Sequence, residues 1–374
     1  MVKIEFEEDL FKRLTAIGAL AIVFVLVMST LTAPAAYPAT LVDLGDDGHT
    51  ADLDGPAVPT EPPSHTLSAN DAAAPDLIVR PGNMVEDADG TTVHTGPDAI
   101  QWSVNNGNTT LVVADTFQVD GSIYMRSGST LMGEGSDKTT LNFANGGIIM
   151  DGVSNATVKG FHITGAATCQ SWANGVTVAD HVWEDIYLDH VTKGIINNAI
   201  GTRVQAGGFI DNLTYRQVFV DSPATWGFLI NGNNFDGWVK NTLFEDCTAI
   251  RCGNSLGAMD PNNADSWIPG FDLAERANID GMRLVNCRAD NNWESGFHLE
   301  IAPDVRNVVF ENCTASNNGQ KPGALYGAGF FVGDKASFDE CTFIDVTGVG
   351  NTRGGINYDI SNVRVVSFPL PFEN

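Results

Sequence analysis

Two short stretches of this sequence set ionisable groups at matching positions of one pattern. Gly270-Phe271-Asp272-Leu273 and Gly296-Phe297-His298-Leu299-Glu300 lie 26 residues apart. Alternate residues of a strand face opposite ways. Phe271 and Leu273 turned inward therefore send Asp272 outward, and His298 with it. If one copy stacks on the next, Asp272 and His298 are neighbours, and Asp272 and Glu300 stand on a diagonal of about 8 Å. That separation suits a carboxylate pair doing inverting acid/base chemistry. A carboxylate beside an imidazole raises the imidazole pKa, which favours proton exchange near neutral pH. The 43-residue step from Gly227 to Gly270 implies an inserted loop over 253–269, carrying Asp260, Asn262, Asn263, Asp265 and Trp267, with Glu275 and Arg276 just after it. Carboxylates and amides bind hydroxyls or a hard cation such as Ca2+, and an indole stacks on sugar rings. The spacing thus nominates Asp272, His298 and Glu300 as catalytic. Asp260, Asn262, Asp265, Trp267, Glu275 and Arg276 are nominated as substrate-binding, with the metal ligands unassigned and Ca2+ the candidate cation. The plainer reading is a solvated polar row beneath a surface loop. His162, His181 and His190 have no acid at a repeat-aligned position and read as structural or surface residues.

These residues depend on a repeated scaffold. One element is an aromatic or leucine, two residues, then cysteine: Phe244-x-x-Cys247, Leu284-x-x-Cys287, Phe310-x-x-Cys313 and Phe338-x-x-Cys341. The other is glycine, an apolar residue and alternation, beginning at Gly227, Gly270, Gly296, Gly329 and Gly355, with weaker copies at Gly175 and Gly194. Such a unit cannot close a core alone, but stacked units can, with parallel strands about 4.8 Å apart. Stacking also sets like on like, so Asn212, Asn286 and Asn312 are expected to form amide ladders at rung corners. The rival fold, an antiparallel sandwich, requires no such period. Short strands are expected at 110–114, 118–125, 130–132 and 140–143, after one short helix from Pro97 to Val104.

From Pro97 to Val366 the chain resembles the right-handed parallel β-helix proteins of the pectin-lyase-like superfamily. The resemblance rests on the Gly-Phe-x-Leu and Phe-x-x-Cys-Thr rungs, the preceding helix, and Ser127–Gly135. It implies an all-β solenoid of roughly nine rungs, with the helix capping its end. It does not fix an activity, because one fold hosts many chemistries. The Arg-x-Pro-x-x-Arg of pectate lyases is absent, as are the paired-Asp and Gly-His-Gly motifs of polygalacturonases. Asp260-Pro261-Asn262-Asn263 looks like the Asp-Pro-His-Asp motif of alginate epimerases, but Asn262 replaces the histidine, which counts against epimerisation.

The six cysteines, four of them at one repeat position, suit a stacked row of free buried thiols, because parallel side-chain vectors fit a disulfide poorly. Cys247 and Cys252 are close enough in sequence to pair locally. The absence of any Cys-x-x-Cys argues against structural zinc. Asn108, Asn155, Asn212 and Asn312 begin glycosylation sequons, with Asn312 expected in the core or at a corner.

The chain carries 46 acidic and 20 basic residues, a net charge of −26. That surface repels nucleic acid and also repels a polyanion unless cations intervene. Lys3, Lys12 and Arg13 precede an apolar run from Leu14 to Leu31, followed by Ala33, Ala35, Ala36 and Ala39. Residues 1–39 thus read as a signal peptide or membrane anchor. Residues 40–96 read as an acidic, Pro/Ala-rich linker and lead-in, and 97–374 as the β-helix. The expected protein is secreted or anchored at the cell surface and acts on a polysaccharide or surface glycan as a hydrolase or lyase. The alternative is a non-catalytic adhesin or envelope component built as a rigid rod. Oligomeric state is not readable.

Overall fold

The computed structural model describes residues 74–192, 198–253, 268–302, 304–321, 326–333, 339–358 and 363–367. The chain divides into two units, 1–58 and Pro59–Asn374, and every described residue belongs to the second.

Three parallel sheets wind around one core. In the first, Leu131, Val158, Trp183, Tyr215, Phe244, Leu284, Phe310 and Phe343 are successive in-register partners. In the second the column is Leu141, Ile163, Leu188, Val220, Ala249, Ala289 and Ala315. In the third it is Ile148, Cys169, Ile200, Phe228, Phe271, Phe297 and Phe330. The expected parallel pairing is therefore present, and the antiparallel sandwich is excluded for these strands. In the third sheet Phe228, Phe271, Phe297 and Phe330 stack with ring centroids 4.4, 4.7 and 4.9 Å apart, close to the strand spacing itself. Each ring fills the space above its neighbour, so the apolar repeat becomes a continuous core.

Two polar columns fix the rung geometry. Between the first and second sheets Asp246, Asn286, Asn312 and Asp345 turn the chain with φ of +53°, +55°, +51° and +51°. Asn and Asp tolerate this left-handed bend better than other side chains with a Cβ. Asn312 Nδ2 donates to Asn286 Oδ1 at 3.4 Å, and Asn286 Nδ2 to Asp246 Oδ1 at 3.0 Å. Asn212, expected in that ladder, instead bends a different corner and donates to Asp180 Oδ1 at 2.6 Å. Asn312 is an exposed corner residue.

A second ladder, buried at Asn292 and Asn318, runs on to the half-buried Asn351. Asn318 Oδ1 accepts from the backbone N–H and Nδ2 of Asn292, at 3.1 and 2.9 Å, and Asn351 Oδ1 does the same for Asn318 at 2.9 Å each. These amides press on the glycines that open the repeats. A Cβ on Gly270, Gly296 or Gly329 would fall 2.6, 2.9 or 2.8 Å from Asn292, Asn318 or Asn351 Nδ2. That close approach is why the Gly-Phe motif begins with glycine.

The six cysteines are free and buried. Cys341 does not share the position of Cys247, Cys287 and Cys313. It pairs with Val308, and Phe343 rather than Phe338 lies opposite Phe310. Val346 therefore stands where the cysteine is in the preceding rungs, since a valine fills that apolar slot as well as a thiol does.

Helix α1 spans Ala99–Asn106. Arg126 closes its C-terminal end, donating from Nε to Val104 O at 2.6 Å and from Nη2 to Gly107 O at 2.7 Å. Parallel pairing starts before the helix, earlier than the sequence places it: Leu77–Arg80 pairs with Thr109–Val112. Among the described residues no helix is long and apolar enough to cross a membrane. The signal or anchor segment and most of the linker lie outside the described residues.

Candidate functional site

The outer side of the third sheet gathers the ionisable residues. Strand Phe271–Glu275 carries Asp272, and strand Phe297–Leu299 carries His298. With the phenylalanines turned into the core, Asp272 and His298 take the opposite side as in-register partners. Phe331 follows on the next rung. Glu300 packs beside Gly333, where a Cβ would lie 2.9 Å from that of Glu300.

The expectation of a solvent-facing row is corrected. Asp272 is 7% exposed and His298 4%. The imidazole packs 4.7 Å from the Phe331 ring and 5.6 Å from that of Tyr326. Alternation identifies the side of a sheet a residue faces, not whether neighbouring segments cover that side.

A carboxylate flanks each ring nitrogen of His298. Nδ1 lies 3.1 Å from Glu294 Oε1 and Nε2 3.3 Å from Glu300 Oε1. The Ser295 hydroxyl is 3.2 Å from Nδ1 and donates to the Tyr326 carbonyl. Burial by itself depresses the imidazole pKa, but Glu294, Glu300 and Asp272 outweigh it and hold the pKa up to about 10. The expected direction is present, but the size of the rise is not that of a group titrating near neutral pH. His298 is an imidazolium at neutral pH, not a base.

At Asp272 burial acts in the opposite direction from its effect on the imidazole. Burial drives its carboxyl well above the usual carboxylate range, against the pull of His298, with Glu275, Glu294 and Glu300 adding to the rise. Oδ1 of Asp272 and Oε2 of Glu294 are buried with no hydrogen-bond partner among the described residues. Such atoms cost stability unless another role retains them. The cluster thus holds a carboxyl whose proton affinity is raised by burial, a clamped imidazole and a less buried carboxyl side by side.

Glu294 was not among the nominated residues. It precedes its glycine, so the strand alignment does not reach it, although its spacing of four from His298 was visible. Glu275 is half-buried and lies 3.2 Å from Arg276 Nε, so these two nominated substrate ligands pair with each other. Asp260, Asn262, Asp265 and Trp267 lie outside the described residues. Among the described residues no group of three His, Cys, Asp or Glu side chains is arranged to hold a metal ion.

His162 and His190 meet an acid that lies outside the repeat-aligned positions. Asp189 Oδ2 lies 3.7 Å from His162 Nε2, and Asp189 Oδ1 contacts His190 Nδ1. His162 stacks on Tyr187 with centroids 4.6 Å apart, and burial lowers its pKa against the pull of Asp189. These acid partners arise because a strand and its following corner meet the next rung, which motif alignment alone does not show. His181 is buried, with Nε2 2.7 Å from the Val153 carbonyl.

Stacked parallel rungs with an acid–imidazole cluster on one outer face define this chain as a parallel β-helix protein with chemistry-bearing groups on its coil. Similar solved structures include the A-module of the Azotobacter vinelandii mannuronan C-5 epimerase AlgE4, at 11% identity and a TM-score of 0.35, covering 74% of this chain and 93% of that one. Pectate lyase Pel9A is 18% identical with a TM-score of 0.33, over 71% and 62% of the two chains. A rhamnogalacturonan lyase is 16% identical with a TM-score of 0.39, over 72% and 69%. No family model matches the sequence, and no curated protein matches it.

Proposed function

We propose that the protein is an exported carbohydrate-active enzyme, a hydrolase or lyase that cleaves a polysaccharide by acid/base chemistry at Asp272, His298 and Glu300. The carrying observation is the buried Asp272, its carboxyl held well above the usual carboxylate range, beside a histidine clamped between Glu294 and Glu300. Carboxyl groups pushed apart in proton affinity are how one site supplies an acid and a base at the same pH. Asp272 donates its proton to the leaving glycosidic oxygen. Glu300, the more exposed of the two, takes a proton from water in hydrolysis or from the sugar ring in elimination. His298 stays an imidazolium that positions Glu300 and offsets charge between the carboxyls. Asp260, Asn262, Asp265 and Trp267 complete the substrate contacts in this proposal, with Ca2+ the candidate cation. The apolar N-terminal run supplies export or membrane attachment.

The burial of Asp272 and His298 favours a second reading. In it the cluster is a structural ion network inside a rigid surface rod, an adhesin or envelope component. A panel of glycans, assayed for products with and without Ca2+, separates the two. Cleavage of one glycan class, lost in Asp272→Asn, is the expected result. Saturable glycan binding without any product overturns the catalytic reading.

A further inference from the structure

The outward row beside Asp272 is the accessible strip of the third sheet. Trp172, Arg203, Asn231 and Glu275 are in-register partners on four successive rungs, and all are half-buried. Their inward neighbours fix the facing: Ser171 accepts from the core Trp183 indole at 3.0 Å, and Thr202 meets the core Tyr215 hydroxyl at 2.8 Å. In the adjacent outward row Gln170 and Asp272 are buried and Leu229, between them, is half-buried. A ligand therefore meets this face along the Trp172–Glu275 row, which runs parallel to the solenoid axis and ends at the cleavage cluster.

Arg203 is the unusual member of the row. Its guanidinium lies over the Trp172 ring, 5.7 Å from the centroid. Nη2 donates to Asn233 Oδ1 at 3.2 Å. In the amide orientation that satisfies both neighbours, Gln205 Oε1 accepts from Arg203 Nη2 at 2.8 Å and from Asn233 Nδ2 at 2.7 Å. All three holders are neutral. They orient the guanidinium without cancelling its charge.

Among the described residues no carboxylate forms an ion pair with Arg203. By contrast Arg216, Arg251, Arg283, Arg288 and Arg306 each pair with one. Arg126 also lacks a carboxylate partner among these residues, but its guanidinium is taken up by the Val104 and Gly107 carbonyls at a helix end, whereas Arg203 is held by neutral side chains on the sheet face. A planar guanidinium with part of its fork free fits a carboxylate or sulfate, and its neighbouring indole and amides fit a sugar ring and its hydroxyls. Arg203 lies two rungs from Glu275, about 10 Å along the axis.

We propose that Arg203, oriented by Trp172, Gln205 and Asn233, is a distal subsite for the anionic group of an acidic saccharide whose chain runs along the solenoid axis toward Asp272 and Glu300. This rests on reading that cluster as the cleavage site. It also answers the charge objection to an acidic ligand, because the surface is negative overall but this point on the binding row is not.

The test measures equilibrium binding of three size-matched probes to the full chain: an oligogalacturonate, a sulfated galactan oligosaccharide and a neutral glucan oligosaccharide. Wild type should bind one or both acidic probes more tightly than the neutral one, and added salt should weaken that preference. Arg203→Gln should weaken the acidic probe about tenfold or more and leave the neutral probe unchanged. Arg203→Lys should recover part of the loss, and it serves as the readout if the glutamine variant does not fold. Which acidic probe responds tells carboxylate from sulfate. Equal affinity of wild type and Arg203→Gln for both acidic probes, or preference for the neutral probe, overturns the proposal. Asp272→Asn, assayed for products in parallel, keeps the two claims apart. Arg203-dependent binding with no product from wild type sinks the cleavage reading and leaves the subsite standing.

Discussion

Asp272 and His298 illustrate how position converts ordinary side chains into a coupled proton system. Neither is unusual in sequence, and each becomes so because the Phe271 and Phe297 stack places them in register on a covered sheet face. Their pH linkage has one sign. His298 binds its proton more tightly in the folded state, so its stabilising contribution is complete below its ordinary value of 6.5 and fades as pH rises toward about 10. Asp272 likewise holds its proton more tightly when folded, so deprotonation destabilises the fold above its ordinary value of 3.8. Denaturant titrations of the wild type should therefore show stability falling from pH 6.5 to 10. Asp272→Asn should show a shallower fall, because an amide has no proton to lose; an equal or steeper fall would show that Asp272 is not the titrating group. His298→Ala is a different case, since it leaves Glu294 and Glu300 facing each other without a cation. A loss of about 3–5 kcal/mol is expected at neutral pH, readable as a shift in denaturation midpoint. A loss under about 1 kcal/mol, the size of an exposed ion pair, would contradict the clamped arrangement.

At the scale of the strand and rung, the aromatic and amide columns set the stability of the site's floor. Phe297→Ala removes a fully buried ring stacked between Phe271 and Phe330. It should cost about 3–5 kcal/mol. Asn318→Ala removes the amide that accepts from Asn292 and donates to Asn351 and to the Ala289 carbonyl at 2.9 Å. Each buried group left unpaired costs about 1–3 kcal/mol, so this surface-type residue should rival the phenylalanine in thermal unfolding; a change within the noise would show that water replaces the amide. Much of this level was legible in the sequence. The Gly-Phe-x-Leu copies carry the period, and the Asp272–His298 register follows from it. Three features were not legible, each for a physical reason. Cys341 matched the cysteine motif by composition, while pairing set Phe343 opposite Phe310. Asn212 shares a residue type but not a corner with Asn286. The burial of Asp272 and His298 is a matter of packing over the sheet face, which no local alternation reports.

For the molecule as a whole, the Trp172–Glu275 row and the Asp272–His298 pair lie on one parallel sheet, and under the proposal the rung spacing sets the distance between recognition and cleavage. A stack of rungs stabilised mainly by nearest neighbours allows chemistry on one rung and recognition on others. The proposed export rests on the acidic composition and on the basic-then-apolar run from Lys3 to Leu31. Protease added to intact cells should digest the β-helix region without lysis; protection of the whole chain until lysis would contradict export.

The most direct test of the central claim is turnover. The glycan that wild type cleaves is assayed at saturating concentration with purified wild type, Asp272→Asn and Glu300→Gln, and glycan affinity is measured alongside. The account predicts that each variant loses about 10²–10⁴-fold in kcat while its affinity stays within a few-fold of wild type. Unchanged kcat in both variants, with both folded, would remove the chemistry from this face of the coil.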